Sequence, residues 1–82
     1  MRTVTLYTRP GCHLCDDARA ALLDARRRTP FRLEEIDIEQ DDALHRAYLE
    51  RIPVILLDGE HLFDYFVDSS TLHARLRGDG LE

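Results

Sequence analysis

Thr3-Val4-Thr5-Leu6-Tyr7-Thr8-Arg9-Pro10-Gly11-Cys12-His13-Leu14-Cys15 is the stretch from which the rest of the chain can be read. Its first six residues are rich in β-branched and aromatic side chains, the composition of a strand. Arg9-Pro10-Gly11 breaks that strand, and two cysteines follow in a Cys-x-x-Cys arrangement. Beyond the break, Leu14, Ala18, Ala21, Leu22 and Ala25 recur at three- and four-residue steps, which places them on one face of a helix from about Cys12 to Arg28. Asp16 and Asp17 fall in its first turn, where the helix dipole favours acidic groups. The cysteine pair therefore stands where a strand gives way to a helix.

That position carries chemistry. The thiolate is the form of cysteine that attacks disulfides, and the unpaired amides and positive dipole of a helix N-terminus stabilise it. Cys12 reads as the nucleophile. Cys15, one turn deeper on the same face, can reach it and displace a substrate from a mixed disulfide, which makes Cys15 the resolving thiol. Arg9 adds a nearby positive charge, and His13 can do so if protonated or donate a hydrogen bond if neutral. Asp16 and Asp17 act in the opposite sense.

Outward from the motif, Thr29-Pro30 ends the helix and Phe31 to Ile38 has strand composition. Its apolar phase slips between Leu33 and Ile36, which calls for a bulge or a shortened strand. Asp41 to Glu50 reads as a short helix with Leu44, Ala47 and Tyr48 facing inward. Pro53 to Leu57 is nearly continuously apolar, as in a strand buried on both faces. Asp58-Gly59 is a strong signal for a two-residue hairpin turn into a returning strand, His61 to Val67. Asp68 or Ser69 can cap a last helix whose apolar stripe is Leu72 and Leu76. The order is β-α-β-α-β-β-α. A helical crossover makes the first two strands parallel and a tight turn makes the last two antiparallel, so an α/β fold with a four-stranded mixed sheet covered by helices is expected, a thioredoxin-like order in one domain spanning residues 1–82.

Composition narrows the function classes. The 82 residues are 44% hydrophobic and 33% charged, the balance of one folded domain. Net charge is −5, from 16 acidic and 11 basic residues, which argues against nucleic acid as a partner. All the basic residues are arginine, and only Arg26-Arg27-Arg28 cluster. They suit the negative end of the first helix and read as a solvated helix end, with a docking patch for an acidic partner as the alternative. No apolar run approaches the ~20 residues of a membrane span, and no export signal is visible. A cytoplasmic setting without a membrane partner is expected, where Cys-x-x-Cys is catalytic or metal-binding in preference to a structural staple.

A metal or iron-sulfur centre, or a non-catalytic partner-binding module, is the competing reading of the same pair. Two thiolates with His13, or with His45, His61 or His73, could complete a zinc site, although no second ligand pair stands at zinc-finger spacing. His61 and His73 read better as solvent-facing positions on a strand and a helix.

The run Leu6 to Cys15, followed by Arg51-Ile52-Pro53-Val54 and the Asp58-Gly59 hairpin, resembles glutaredoxin and its small bacterial glutaredoxin-like relatives over essentially the whole chain. The resemblance implies a thiol-disulfide oxidoreductase acting on protein disulfides or glutathione mixed disulfides, with no bound cofactor. Its electrons would come from glutathione or a thioredoxin-reductase-type donor. It implies further that the Ile52-Pro53 bond is cis, that this loop faces Cys12, and that the backbone of Ile52 is free to pair with substrate. Arg9 would meet the glycyl carboxylate of glutathione, and the amides near Asp68 and Ser69 its γ-glutamyl end. The chain departs from the family pattern in three places. His13 and Leu14 stand where proline and an aromatic are usual, Arg51 replaces a threonine, and Phe66-Val67-Asp68-Ser69 occupies the stretch of a Gly-Gly pair.

Overall fold

The computed structural model describes residues 2–77. Strand β1 (Thr3–Thr8) leads into helix α1 (His13–Arg28), then β2 (Arg32–Asp37), a 3-10 turn (Ile38–Gln40), α2 (Asp42–Tyr48), the hairpin β3 (Val54–Leu57) and β4 (Glu60–Asp64), and α3 (Ser69–Leu76). The sheet runs β2-β1-β3-β4. β1 pairs β2 in parallel and β3 in antiparallel, and β3 pairs β4 in antiparallel, so the expected mixed sheet is present. Asp58 (φ 50°) and Gly59 (φ 88°) both take the left-handed conformation that a tight hairpin with right-twisted strands requires.

Two apolar clusters hold the layers together. In the larger, Val4 and Leu6 of β1 and Ile55 and Leu57 of β3 meet Ala18, Leu22 and Ala25 of α1 and Leu72 and Leu76 of α3. Leu22 and Leu72 are fully buried, each worth about 1.5–3 kcal/mol in apolar transfer. The smaller cluster gathers Cys15, Ile38, Ile52 and Val54, with Tyr7, Cys12, Leu44, Tyr48 and Leu56 packed against it. Tyr7 and Tyr48 stack with ring centroids 4.9 Å apart, fastening α2 to β1. Burial, the neighbouring Tyr48 and the charge of Asp41 push the Tyr7 phenol up from its ordinary range.

The elements differ from their sequence reading in instructive ways. Phe31 and Ile38 lie outside β2 yet are buried, so the strand is the shortened one. Its ladder with β1 runs unbroken from Thr3 opposite Arg32 to Thr8 opposite Asp37, so Leu33 and Ile36 simply face opposite sides of an edge strand. A register irregularity lies instead in the β3-β4 hairpin, between Ile55 and Leu56. α2 is shorter than expected, and Ala47 is exposed while Leu44 and Tyr48 pack inward. Leu14, expected on the buried face of α1, is 51% exposed, because it sits in the first turn above the core. β4 ends at Asp64 instead of Val67, since Tyr65 turns the chain at φ 72°. No helix among the described residues is long and apolar enough to cross a membrane.

Candidate functional site

Gly11 (φ 80°) closes the turn after β1 and hands the chain to Cys12, whose extended backbone (φ −94°, ψ 108°) makes it the N-cap of α1. A cysteine is an unusual cap, and its sulfur takes the place of the customary side-chain oxygen. The amide of Cys15 donates to Cys12 Sγ at 3.1 Å, and the amide of Asp16 donates to the Cys12 carbonyl at 3.2 Å. Cys12 and Cys15 are joined as a disulfide with their Cα atoms 5.2 Å apart. Cys15 is fully buried and Cys12 only partly so, which leaves Cys12 as the sulfur open to a partner. A thiolate there would lie against the positive end of a sixteen-residue helix and accept at least one aimed amide.

Opposite the cysteines, the Ile52-Pro53 peptide bond is cis. Ile52 and Cys15 share the smaller apolar cluster, with Cys12 packed against it, so the proline loop and the cysteine pair are neighbours. The backbone of Ile52 is only half open: its amide donates to the Tyr48 carbonyl at 3.1 Å. Among the described residues no backbone amide donates to its carbonyl. Pro53 accepts from the amide of Tyr65 at 2.7 Å, which draws the Tyr65-Phe66 turn up beside the loop.

The remaining sequence candidates are placed as follows. Arg9 forms an ion pair with Glu39 (3.4 Å), both side chains 41% exposed. His13 is exposed on the first turn of α1. Asp68 caps α3, its Oδ1 accepting from the amides of Ser70 (3.1 Å) and Thr71 (3.4 Å) and its Oδ2 from the Thr71 hydroxyl (3.0 Å). Ser69 opens α3 and is exposed. The α3 amides proposed for an anionic ligand are thus already engaged by Asp68. His61 bonds Asp64 at 2.8 Å, and His73 lies 3.4 Å from the Thr29 hydroxyl. Among the described residues no three His, Cys, Asp or Glu side chains gather into a group that could hold a metal.

Sequence reasoning missed the groups that frame the site from the side. Tyr65 (46% exposed) and Phe66 (68% exposed), read as strand residues, stand out beyond β4. With Leu14, Ala18, Ala21 and Val67 they line a shallow cleft of about 160 Å³ alongside α1. Tyr65 is braced by its hydroxyl, which donates to the Glu50 carbonyl at 2.9 Å. Arg51, over the Tyr48 ring at 5.3 Å and 3.4 Å from Asp64, ties the approach to β3 to the end of β4. Burial tends to raise the Asp64 carboxyl, but the His61 hydrogen bond and the His61 and Arg51 charges outweigh it and hold the carboxyl low. An adjacent aromatic pair at the end of a predicted strand is the signal that could have flagged this turn.

The comparisons with known proteins agree with this arrangement. Residues 3–77 match the glutaredoxin-like domain (DUF836). A curated relative, described as the glutaredoxin-like protein YDR286C homolog of Dictyostelium discoideum, is 28% identical over 78 residues, 85% of this chain and 70% of that protein. Among solved structures, protein Ne2328 of Nitrosomonas europaea is 36% identical with a TM-score of 0.79, covering 90% of this chain and 89% of that one. Protein XcR50 of X. campestris is 39% identical with a TM-score of 0.75, covering 92% of this chain and 96% of that one. A mutant thioredoxin of Halobacterium salinarum, at 20% identity and a TM-score of 0.68 over 94% of this chain and 73% of that one, shares the fold alone. With a cysteine pair at disulfide distance on a thioredoxin fold, the chain belongs to the glutaredoxin-like domain family.

Proposed function

We propose that the protein is a thiol-disulfide oxidoreductase that reduces protein disulfides or glutathione mixed disulfides by cycling Cys12 and Cys15. The observation that carries this reading is the division between the two sulfurs. Cys12 is accessible, caps α1 and accepts the Cys15 amide, while Cys15 is buried within bonding reach of Cys12 alone. In the reduced protein the Cys12 thiolate attacks one sulfur of the substrate disulfide, forming a mixed disulfide and releasing the other substrate sulfur as a thiolate. The Cys15 thiolate, its proton lost to solvent, then attacks Cys12 Sγ. This closes the Cys12–Cys15 disulfide and releases the second substrate sulfur. Two electrons have passed to the substrate, whose two thiolates take up two protons.

The cis-Pro53 loop, whose Ile52 carbonyl accepts from no backbone amide among the described residues, would give an extended substrate backbone one acceptor to pair with beside Cys12. Arg9, His13, Asp68 and Ser69 are further candidate substrate contacts, Arg9 only after exchange of its Glu39 partner and the amides near Asp68 only where its carboxylate gives them up. A reducing compartment such as the cytoplasm is the setting in which the pair runs in this direction. A coupled assay tests the reading, with a protein disulfide as acceptor and NADPH consumption as readout. Electrons enter through glutathione and its reductase in one arm and through thioredoxin reductase in the other. Turnover in either arm that disappears in Cys12→Ser supports the proposal and identifies the donor. No turnover in either arm, with the cysteines shown to be reduced, overturns it.

A further inference from the structure

The cleft beside the cysteine pair has a chemistry of its own. Its apolar lining is Leu14, Ala18, Ala21, Tyr65, Phe66 and Val67. Four large hydrophobic side chains are exposed among the described residues, Leu14, Leu23, Tyr65 and Phe66, and three of the four converge on this one cleft. Solitary exposed apolar residues need no explanation, but a cluster that continues into a reactive site is a surface awaiting a partner. Phe66 is held outward because Tyr65 is pinned on both sides, by its amide to Pro53 and by its hydroxyl to Glu50. The side chain of Leu14 is carried into the cleft by the first turn of α1, between the two cysteines.

Charge points the same way. Among the described residues the one charged side chain lining the cleft is Asp17. The next residue beyond Val67 is Asp68, whose carboxylate already takes the first free amides of α3. Arg9 lies along a different hollow, with Asp16, Arg19 and Asp37, and is paired with Glu39. Glutathione carries two carboxylates and one ammonium, and the cleft lining offers neither carboxylate a cation. An apolar side chain loses water on entering the cleft and needs no cation there. Along an extended peptide, a residue one or two places from the reacting cysteine lies about 3–7 Å away, the scale on which Leu14 follows Cys12.

We infer that the cleft selects the substrate: the cysteine pair acts on a protein or peptide disulfide whose reacting cysteine is flanked by an apolar side chain, in preference to glutathione mixed disulfides. Phe66 and Leu14 are the specificity-determining residues. This inference rests on the oxidoreductase reading above and refines which disulfide that reading applies to. The chemistry is the same exchange, two electrons passing from the Cys12–Cys15 dithiol to the substrate disulfide, with dithiothreitol as the reductant that restores the dithiol.

The test compares initial rates on three small disulfides that share one fluorescent leaving thiol. One is a peptide with leucine beside its cysteine, one the same peptide with aspartate there, and one glutathione itself. The wild-type protein should favour the leucine peptide by on the order of tenfold in kcat/KM over both others, the usual worth of one well-filled apolar contact. Phe66→Ser should bring the leucine-to-aspartate ratio down towards one, and Phe66→Leu should restore most of it. Wild-type rates equal on all three substrates, or fastest on glutathione, would overturn the inference while leaving the oxidoreductase reading in place. A ratio unaffected by Phe66→Ser would overturn the role of the cleft. Failure of the wild type on every disulfide would instead remove the oxidoreductase reading, and the inference with it.

Discussion

Replacing Gly11 with alanine probes how the chain aims Cys12 at the start of α1. Gly11 holds φ 80°, and a Cβ built on it meets no atom within 4 Å. Steric crowding by neighbours is therefore absent, and the cost is that of placing a side-chain-bearing residue in a left-handed backbone conformation, about 1–2 kcal/mol. An 82-residue domain of ordinary stability holds roughly 4–12 kcal/mol. Gly11→Ala should thus fold. At roughly 4–8 °C per kcal/mol for a domain this small, its Tm should fall by about 4–16 °C. Urea unfolding should report the same loss through a lower midpoint at constant slope, and Gly11→Asn should lose less, because asparagine tolerates this region better. The turn also orients the Cys12 cap, so alkylation of reduced Cys12 at neutral pH should slow in Gly11→Ala. A loss under about 0.3 kcal/mol would refute the left-handed turn, and one above about 4 kcal/mol would refute the open space around it.

Three further outcomes follow from the described contacts. Asp58 accepts from the Thr3 amide (2.9 Å) and from Arg2 Nε (2.8 Å), and these partners, the amide first, hold its carboxyl below the usual range. Because the folded pKa is the lower one, its stabilisation is complete above the unfolded value of about 3.9 and fades as pH falls through the folded value. Acid titration of stability should therefore be flatter below about pH 4 in Asp58→Asn than in the wild type, and identical slopes would exclude the linkage. Asp68→Ala should cost about 1 kcal/mol by uncapping α3, whereas Asp68→Asn should keep most of the cap, with thermal melts distinguishing the pair. Arg9→Ala should change the rate of Cys12 alkylation across pH by no more than about twofold, since an exposed charge already paired with Glu39 reaches the thiolate weakly. A larger slowing would place Arg9 against the sulfur.

Much of the fold can be read in the sequence wherever one local signal decides the outcome. The Pro10-Gly11 break, the cysteines behind it and the Asp58-Gly59 turn each demand a backbone shape that few alternatives satisfy, and the structure has those shapes. Asp68 as a cap followed from its oxygens and its place before Leu72. Tertiary contacts were out of reach. Nothing in the strand-like composition of Tyr65-Phe66-Val67 reveals that Tyr65 bonds to Pro53 and Glu50 and ends β4 early. That Arg9 pairs with Glu39, thirty residues later, depends on where β2 and the 3-10 turn place that carboxylate. Ile52 looked open because its amide partner, Tyr48, depends on how α2 ends. At the site, the chemistry-bearing pair was legible from spacing, while the surface that meets a substrate is assembled by packing between distant segments.

Trapping the mixed disulfide tests the central claim most directly. Reduced Cys12→Ser and Cys15→Ser proteins are each mixed with a peptide disulfide, quenched with acid and weighed intact by mass spectrometry. The geometry predicts that Cys15→Ser gains the mass of one peptide half on Cys12 and stalls there, because Cys12 is accessible at the α1 N-terminus and its resolving partner is gone. Cys12→Ser, left with the fully buried Cys15, should gain no adduct. Adducts forming at equal rates in both variants, or in Cys12→Ser alone, would contradict the account of Cys12 as the attacking sulfur and Cys15 as the resolving one.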